Sequence, residues 1–131
     1  LLPQIASSTV MEKVEKGDYS LRLGRQQYDK HCAGTQRYDE YAASRAAAGR
    51  DPQSRLKISF EEAQKMIADY SGTGIIKVKR DGTASDVEFV TCETPVGEYF
   101  ESGKWHETRR AAIHHGKKGS HIVPVKEDGH V

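Results

Sequence analysis

Apolar side chains change their spacing once along this chain, and the change falls at Gly74. Before it, Phe60, Ala63, Met66, Ile67 and Tyr70 recur at intervals of three and four, which puts them on one face of a helix. Ser59 followed by Glu62 supplies a capping box at the start of that helix, and Gly72 supplies a stop. An earlier helical pattern from Arg37 to Ala48 is rich in alanine and ends at Gly49, with Pro52 close behind. Residues 1 to about 22 have weak periodicity and a Gly17-Asp18 break. They read as a linker, or a short helix around Thr9 to Lys16, that tethers a domain of residues 23–131 to something upstream.

After Gly74 the period is two. Ile75 to Arg80 and Asp86 to Thr91 flank Asp81-Gly82, a strong hairpin signal. Two more hairpins are expected: Val96 to Phe100 turns at Ser102-Gly103 into a strand from Trp105 to His115, which turns at Gly116 to Gly119 into Ser120 to Val125. Helices first and strands afterwards predict an α+β domain, its N-terminal helices packed on a C-terminal antiparallel meander.

A chain of 131 residues can bury about two-thirds of its unfolded surface and needs no covalent staples. At 36% hydrophobic and 30% charged it is polar but not disordered in composition. Its apolar runs are far shorter than the roughly 18 residues of a membrane span. Leu1-Leu-Pro-Gln-Ile has neither an initiator Met nor the charged start of a signal peptide, which suggests a piece of a longer protein. The net charge of +1 hides an uneven distribution. Lys104 to Lys126 is dense in Lys, Arg and His and holds one acid, Glu107, whereas residues 81–101 carry acids and no Lys or Arg. A basic face on a nearly neutral chain favours an anionic ligand, and a solvated edge strand that resists aggregation is the alternative. Cys32 and Cys92 are expected to be free thiols.

The basic quarter also holds the candidate chemistry. Period two from Thr108 to His115 puts Thr108, Arg110, Ala112 and His114 on one face and Arg109, Ala111, Ile113 and His115 on the other. With Ile113 in the core, His114 points to the open face. On the next strand apolar residues fall in both alternating sets, so His121 is either functional or a hydrogen-bonded structural histidine. His31 either fixes the Gly34-Thr35 turn or delivers a base or acid from the helical layer. Lys117 and Lys118 are a solvated turn, or cations beside glycines that let backbone N–H groups approach a phosphate. His106 and His130 read as structural or disordered. A metal site is disfavoured because adjacent His114 and His115 face opposite ways and no carboxylate or Cys pair lies at ligand spacing. No cofactor is expected.

The segment Arg25-Gln-Gln-Tyr28-Asp-Lys-His31-Cys-Ala-Gly34-Thr35-Gln-Arg-Tyr38, paired with Ile113-His114-His115-Gly-Lys117-Lys118-Gly-Ser120-His121-Ile-Val-Pro124, resembles the polymorphic toxin type 50 domain. That family opens with Gln-x-x-His-x-x-Gly-Thr-x-x-Tyr and closes with Ile-His-Tyr-Ser-Lys-x-Gly-Thr-His-Ile-Val-Pro. His114, Lys117 and His121 match. His115, Gly116 and Ser120 depart from it, standing where Tyr, Ser and Thr are usual. The resemblance covers about residues 25–125. It implies the barnase, EndoU, colicin and RelE group of ribonucleases, with the active site on the open face of a sheet, carried at the C-terminus of contact-dependent inhibition proteins and related effectors.

Together these readings give a metal-independent endoribonuclease toxin acting on tRNA or another structured RNA. It would be delivered from a secreted or cell-surface effector into the target cytoplasm and neutralised by a cognate immunity protein. His31 and His114 are the expected proton-transfer pair, with His121 in reserve. Lys117 and Arg110 would stabilise the phosphorane, Thr108, Thr35 or Ser120 would orient it, and Lys118 would help hold the RNA. Tyr28, Tyr38 and Trp105 could stack on splayed bases, with core packing the alternative for Trp105. The rival reading is a non-catalytic nucleic-acid or protein-binding module of a phage structural or secreted protein.

Overall fold

In the computed structural model, which describes residues 4–127, the chain runs β1 (Ile5–Ala6), a 3-10 turn (Ser7–Thr9), α1 (Val10–Glu15), α2 (Arg25–Lys30), α3 (Gln36–Ala47), β2 (Arg55–Leu56), α4 (Phe60–Tyr70), β3 (Ile75–Val78), β4 (Ala84–Thr91), β5 (Gly97–Glu101), β6 (Lys104–Thr108), β7 (Arg110–His114) and β8 (His121–Pro124). The class is α+β, and every strand pair is antiparallel. No described helix is long and apolar enough to cross a membrane.

Helix α4 forms for the local reasons visible in its sequence. Ser59 accepts from the Glu62 amide at 3.1 Å and Glu62 returns a bond to the Ser59 amide at 2.9 Å, so two otherwise orphaned donors are satisfied. Its apolar face lies on one side of a five-stranded sheet ordered β1-β3-β4-β7-β8. Ala63 and Ile67 are buried there with Val90, Ala111, Ile113 and Ile122. Each fully buried isoleucine of this layer contributes about 1.5–3 kcal/mol relative to an exposed one. Helix α3 buries no residue and rests on alanine propensity and its Thr35 cap, which accepts from the Tyr38 amide at 3.1 Å.

The single meander expected after Gly74 is instead divided between two sheets. The hairpin β5-β6 leaves the main sheet and pairs with β2, giving a three-stranded sheet ordered β2-β5-β6. The expected strand from Trp105 to His115 breaks at Arg109, because Thr108 pairs with Gly97 on one side of the break and Arg110 with Thr91 on the other. Gly97 permits this junction. A Cβ there would lie 2.2 Å from the Arg55 carbonyl oxygen and 2.7 Å from Pro124, so β2, β5 and β8 meet only at a residue without a side chain.

Ahead of residue 23, β1 adds to β3, and Val10 and Tyr19 are buried with Ile76. These residues form a second buried cluster, and the segment is tied to the start of β3 by the Ser7 amide, which donates to the Gly74 carbonyl at 3.1 Å. Both cysteines are free, as expected. Burial pushes the Cys92 thiol up to about 11, leaving no thiolate at neutral pH.

Candidate active site

The face of the five-stranded sheet away from α4 is laid out by register. Val87, His114 and His121 form one row across β4, β7 and β8, and Phe89, Ala112 and Val123 form the next. His114 therefore stands opposite Ile113, which is wholly buried in the core. The alternation ambiguous in β8 resolves the same way: Ile122 and Pro124 are buried, and His121 shares the open face with His114. The His114 and His121 rings stack with centroids 4.7 Å apart and planes within 5°.

His31 reaches this pair from the end of α2, which packs beside β8. Its Nδ1–H donates to the Ser54 carbonyl at 2.8 Å. A carbonyl only accepts, so this bond fixes the neutral tautomer with its lone pair on Nε2. Burial is the main cause holding His31 below its ordinary value; the Ser54 bond opposes it, and Lys30 and His114 add to it. His114 is lowered by burial, then by Lys77 and His115. Burial, reinforced by His114, His31 and Lys30, takes His121 down to about 4. His31, distant in sequence from the other two, thus lies within electrostatic reach of His114 and His121, and all three are held below their ordinary value.

Cations border the cluster. Arg110 projects from β7 on the same face, its guanidinium 5.1 Å from the Phe89 ring centroid and its buried Nε without a hydrogen-bond partner. Lys77 on β3 is exposed beside Val87. Between them lies a concavity of about 250 Å³, floored by Val87, Phe89 and Ala112 and bounded by His114. Lys117 and Lys118 are exposed on the turn between His114 and His121. Among the described residues no set of three His, Cys, Asp or Glu side chains is placed to hold a metal ion. The parallel stack is consistent with that, since lone pairs in two parallel ring planes do not converge on one ion.

Several expected site residues have their polar atoms committed to the backbone. Thr108 is 1% exposed; its hydroxyl donates to the Val125 carbonyl at 2.7 Å and accepts from the Arg110 amide, so it braces the break at Arg109 and does not share the open face. Ser120 is buried and donates to the Ser20 carbonyl. Thr35 donates to the Asp29 carbonyl as it caps α3. Tyr28 is buried and donates to the Ile58 carbonyl, while Tyr38 is half-buried on α3. Trp105 is half-buried on the second sheet under the Arg55 guanidinium, 3.8 Å from its ring. His106 donates to the Glu101 carbonyl and stacks on Tyr99. His130 lies outside the described residues.

Four residues beside the site were not singled out from the sequence. Lys77 and Phe89 follow from alternation along β3 and β4, each opposite a core residue, Ile76 and Val90. Ser54, which orients His31, has no sequence signal because it acts through a carbonyl that every residue carries. Glu88 stands behind the open face, wholly buried, accepting from His115 Nε2 at 2.8 Å.

No curated protein and no solved structure matches the chain. The family described as bacterial toxin 50 matches residues 23–124, from the start of the segment that carries His31 through the strand that carries His121. With that span covering most of its length, the chain belongs to the bacterial toxin 50 family.

Proposed function

We propose that this domain is a metal-independent endoribonuclease toxin with its active centre at the histidine cluster on the open sheet face. The observation that carries the reading is the meeting of His31, its tautomer fixed by Ser54, with His114 and His121 beside Arg110 and the exposed Lys77 and Lys117. Family membership makes a toxin the starting point. The sheet face is where the barnase, EndoU, colicin and RelE group would place its chemistry. In the proposed reaction His31 Nε2 takes the proton of a ribose 2′-hydroxyl, and the freed oxygen attacks the adjacent phosphorus. The bond from phosphorus to the 5′-oxygen then breaks, and that oxygen takes a proton from His114. The products are a 2′,3′-cyclic phosphate and a 5′-hydroxyl. Arg110 and Lys117 offset charge on the phosphorane, His121 is the reserve proton-transfer group, and Lys118 attracts the backbone. Thr108, Thr35 and Ser120 act through the backbone groups they hold.

Incubating the domain with total tRNA and EDTA tests this reading. Discrete fragments ending in cyclic phosphate are expected. Intact RNA, or activity restored only by added metal, would defeat it and favour the rival, a non-catalytic binding module. The pH dependence is a second prediction. For an imidazole base and acid, kcat/KM rises as the base loses its proton and falls as the acid loses its own. Burial lowers both His31 and His114, so both limbs shift to acid and the maximum is expected below 6.5. A maximum at or above neutral pH contradicts the assignment.

A toxin needing no scarce metal would attack its producer's RNA on folding, so we propose a cognate immunity protein, with delivery from a larger effector. An acidic partner could place carboxylates on Arg110, Lys117 and Lys118 and associate rapidly. Keeping free toxin scarce needs Kd near nanomolar, about −12 kcal/mol. Coexpression with the adjacent reading frame is expected to yield a complex that survives gel filtration, and cells that tolerate the active domain alone would argue against it.

A further inference from the structure

The concavity between Lys77 and Arg110 is larger than proton transfer and phosphate binding require. We infer that it seats one nucleobase of the RNA, next to the scissile phosphate, and that it favours guanine or uracil over adenine or cytosine. The inference rests on the ribonuclease reading and adds a substrate preference to it.

Size, surface and polarity each point to a base. A volume of about 250 Å³ is below the roughly 300 Å³ at which pockets for drug-sized ligands begin, so it fits a single ring system and not a dinucleotide. Val87, Phe89 and Ala112 make the floor apolar, and Phe89, whose ring the Arg110 guanidinium overlies at 5.1 Å, supplies an aromatic surface of the kind on which bases stack once the guanidinium turns to the base edge, for about 1–3 kcal/mol each. Phe89 lies one two-residue step along the sheet from the His114 row, about 7 Å. That is the kind of reach a base has from its own phosphate through the ribose.

The polar lining explains the preference. Lys77, Arg110 and Lys126 are all donors, Lys126 already bonded to Glu101 at 2.9 Å, and among the described residues no Asp, Glu, Asn or Gln side chain lines the space. Arg110 Nε is already buried without an acceptor, so its guanidinium has donor capacity that the protein leaves unused. Guanine offers O6 and N7 and uracil offers O4 to such donors, and arginine is the commonest reader of the guanine pair. Adenine and cytosine present an amino group at the corresponding edge. Apart from the His114 ring, the lining side chains give that amino group nothing to donate to.

Methyl NMR on the whole chain tests the seat without relying on turnover. The probes are the four 3′-nucleoside monophosphates and inorganic phosphate. Guanosine or uridine 3′-monophosphate is expected to move the Val87, Ala112 and Val125 methyl signals at concentrations about 10-fold lower than the adenosine or cytidine compounds. Inorganic phosphate should leave these methyls in place and shift the His114 imidazole C–H signals, recorded on the same sample. Phe89→Leu keeps an apolar floor but removes the aromatic face, and should weaken the nucleotide response about 5-fold or more, the low end of base stacking. An unchanged His114 response to phosphate would certify its fold, and if the variant does not fold, the wild-type titration still decides. Methyl signals that stay fixed with every nucleotide, or that move equally with all four, overturn the proposal. RNA cleavage without methyl shifts removes the base seat alone, and methyl shifts without any cleavage remove the ribonuclease reading while leaving the seat in place.

Discussion

Replacing His114 by alanine is expected to lower RNA cleavage about 10²- to 10⁴-fold, the usual worth of a positioned acid or base, with little change in thermal unfolding. Both halves follow from its surroundings. His114 is half-buried on the open face, touches His121 by stacking and makes no hydrogen bond among the described residues. Its loss therefore orphans no buried polar group and opens no enclosed cavity. His121→Ala separates two roles. If His121 only holds the neighbouring ring in place, removing it should uncover His114, relieve part of the burial that lowers it and move the pH profile toward higher pH. A direct proton carrier would instead lose rate at every pH. His106→Ala is the control, since that ring bonds the Glu101 carbonyl on the other sheet and should affect cleavage little. A His114→Ala variant that cleaves at the normal rate would make His114 a structural residue.

The parts of this protein that could be read from its sequence are those where a side-chain pattern repeats. Helix α4 announces itself by its capping box and its spacing, and the placement of His114 opposite Ile113 follows from alternation alone. The division into two sheets was not legible. It depends on β1 and β2, each two residues long and too short to show a period, and on a break at Arg109 that alternation does not register. Helix α2 is also too short, at six residues, to display a face. Hydroxyls are ambiguous in a sequence for another reason. Thr35, Thr108 and Ser120 have the reach to bond nearby backbone as readily as a phosphate, and the fold uses them for backbone. His121 was undecidable because Ile122 and Val123 put an apolar side chain in each alternating set.

Behind the open sheet face, Glu88→Ala is expected to cost about 3–5 kcal/mol, a large part of the 5–15 kcal/mol typical of a whole domain. The Glu88 carboxylate is wholly buried and accepts from His115 Nε2, from the Ser7 hydroxyl at 2.6 Å and from the amides of Gly72 and Gly74. His115 is committed on both sides. Its Nε2 faces Glu88 and its Nδ1 lies 3.2 Å from the Ser120 hydroxyl, which itself donates to the Ser20 carbonyl. Removing Glu88 leaves His115 Nε2, the Ser7 hydroxyl and the amides of Gly72 and Gly74 without their buried partner. His115→Phe leaves the carboxylate instead, and is expected to cost less because three of its other donors remain. The double variant should not recover, since no apolar side chain satisfies the amides of Gly72 and Gly74. Acid should act on the same group. Burial alone would raise the Glu88 carboxyl, but the bonds from His115, Ser7 and the two glycine amides together hold it below its ordinary 4.5. A carboxyl lowered on folding contributes stability that is complete above its unfolded value and is lost as pH falls through the folded one. His121 adds an earlier loss, between 6.5 and about 4, because the unfolded chain takes up a proton that the folded ring resists. Melting temperatures measured from pH 7 downward should therefore fall in two stages, with Glu88→Gln flattening only the more acidic one. A Glu88→Ala protein as stable as wild type, or a Glu88→Gln protein with an unchanged acid limb, would mean that water compensates this pair and that the buried network does not hold the N-terminal segment to the sheet.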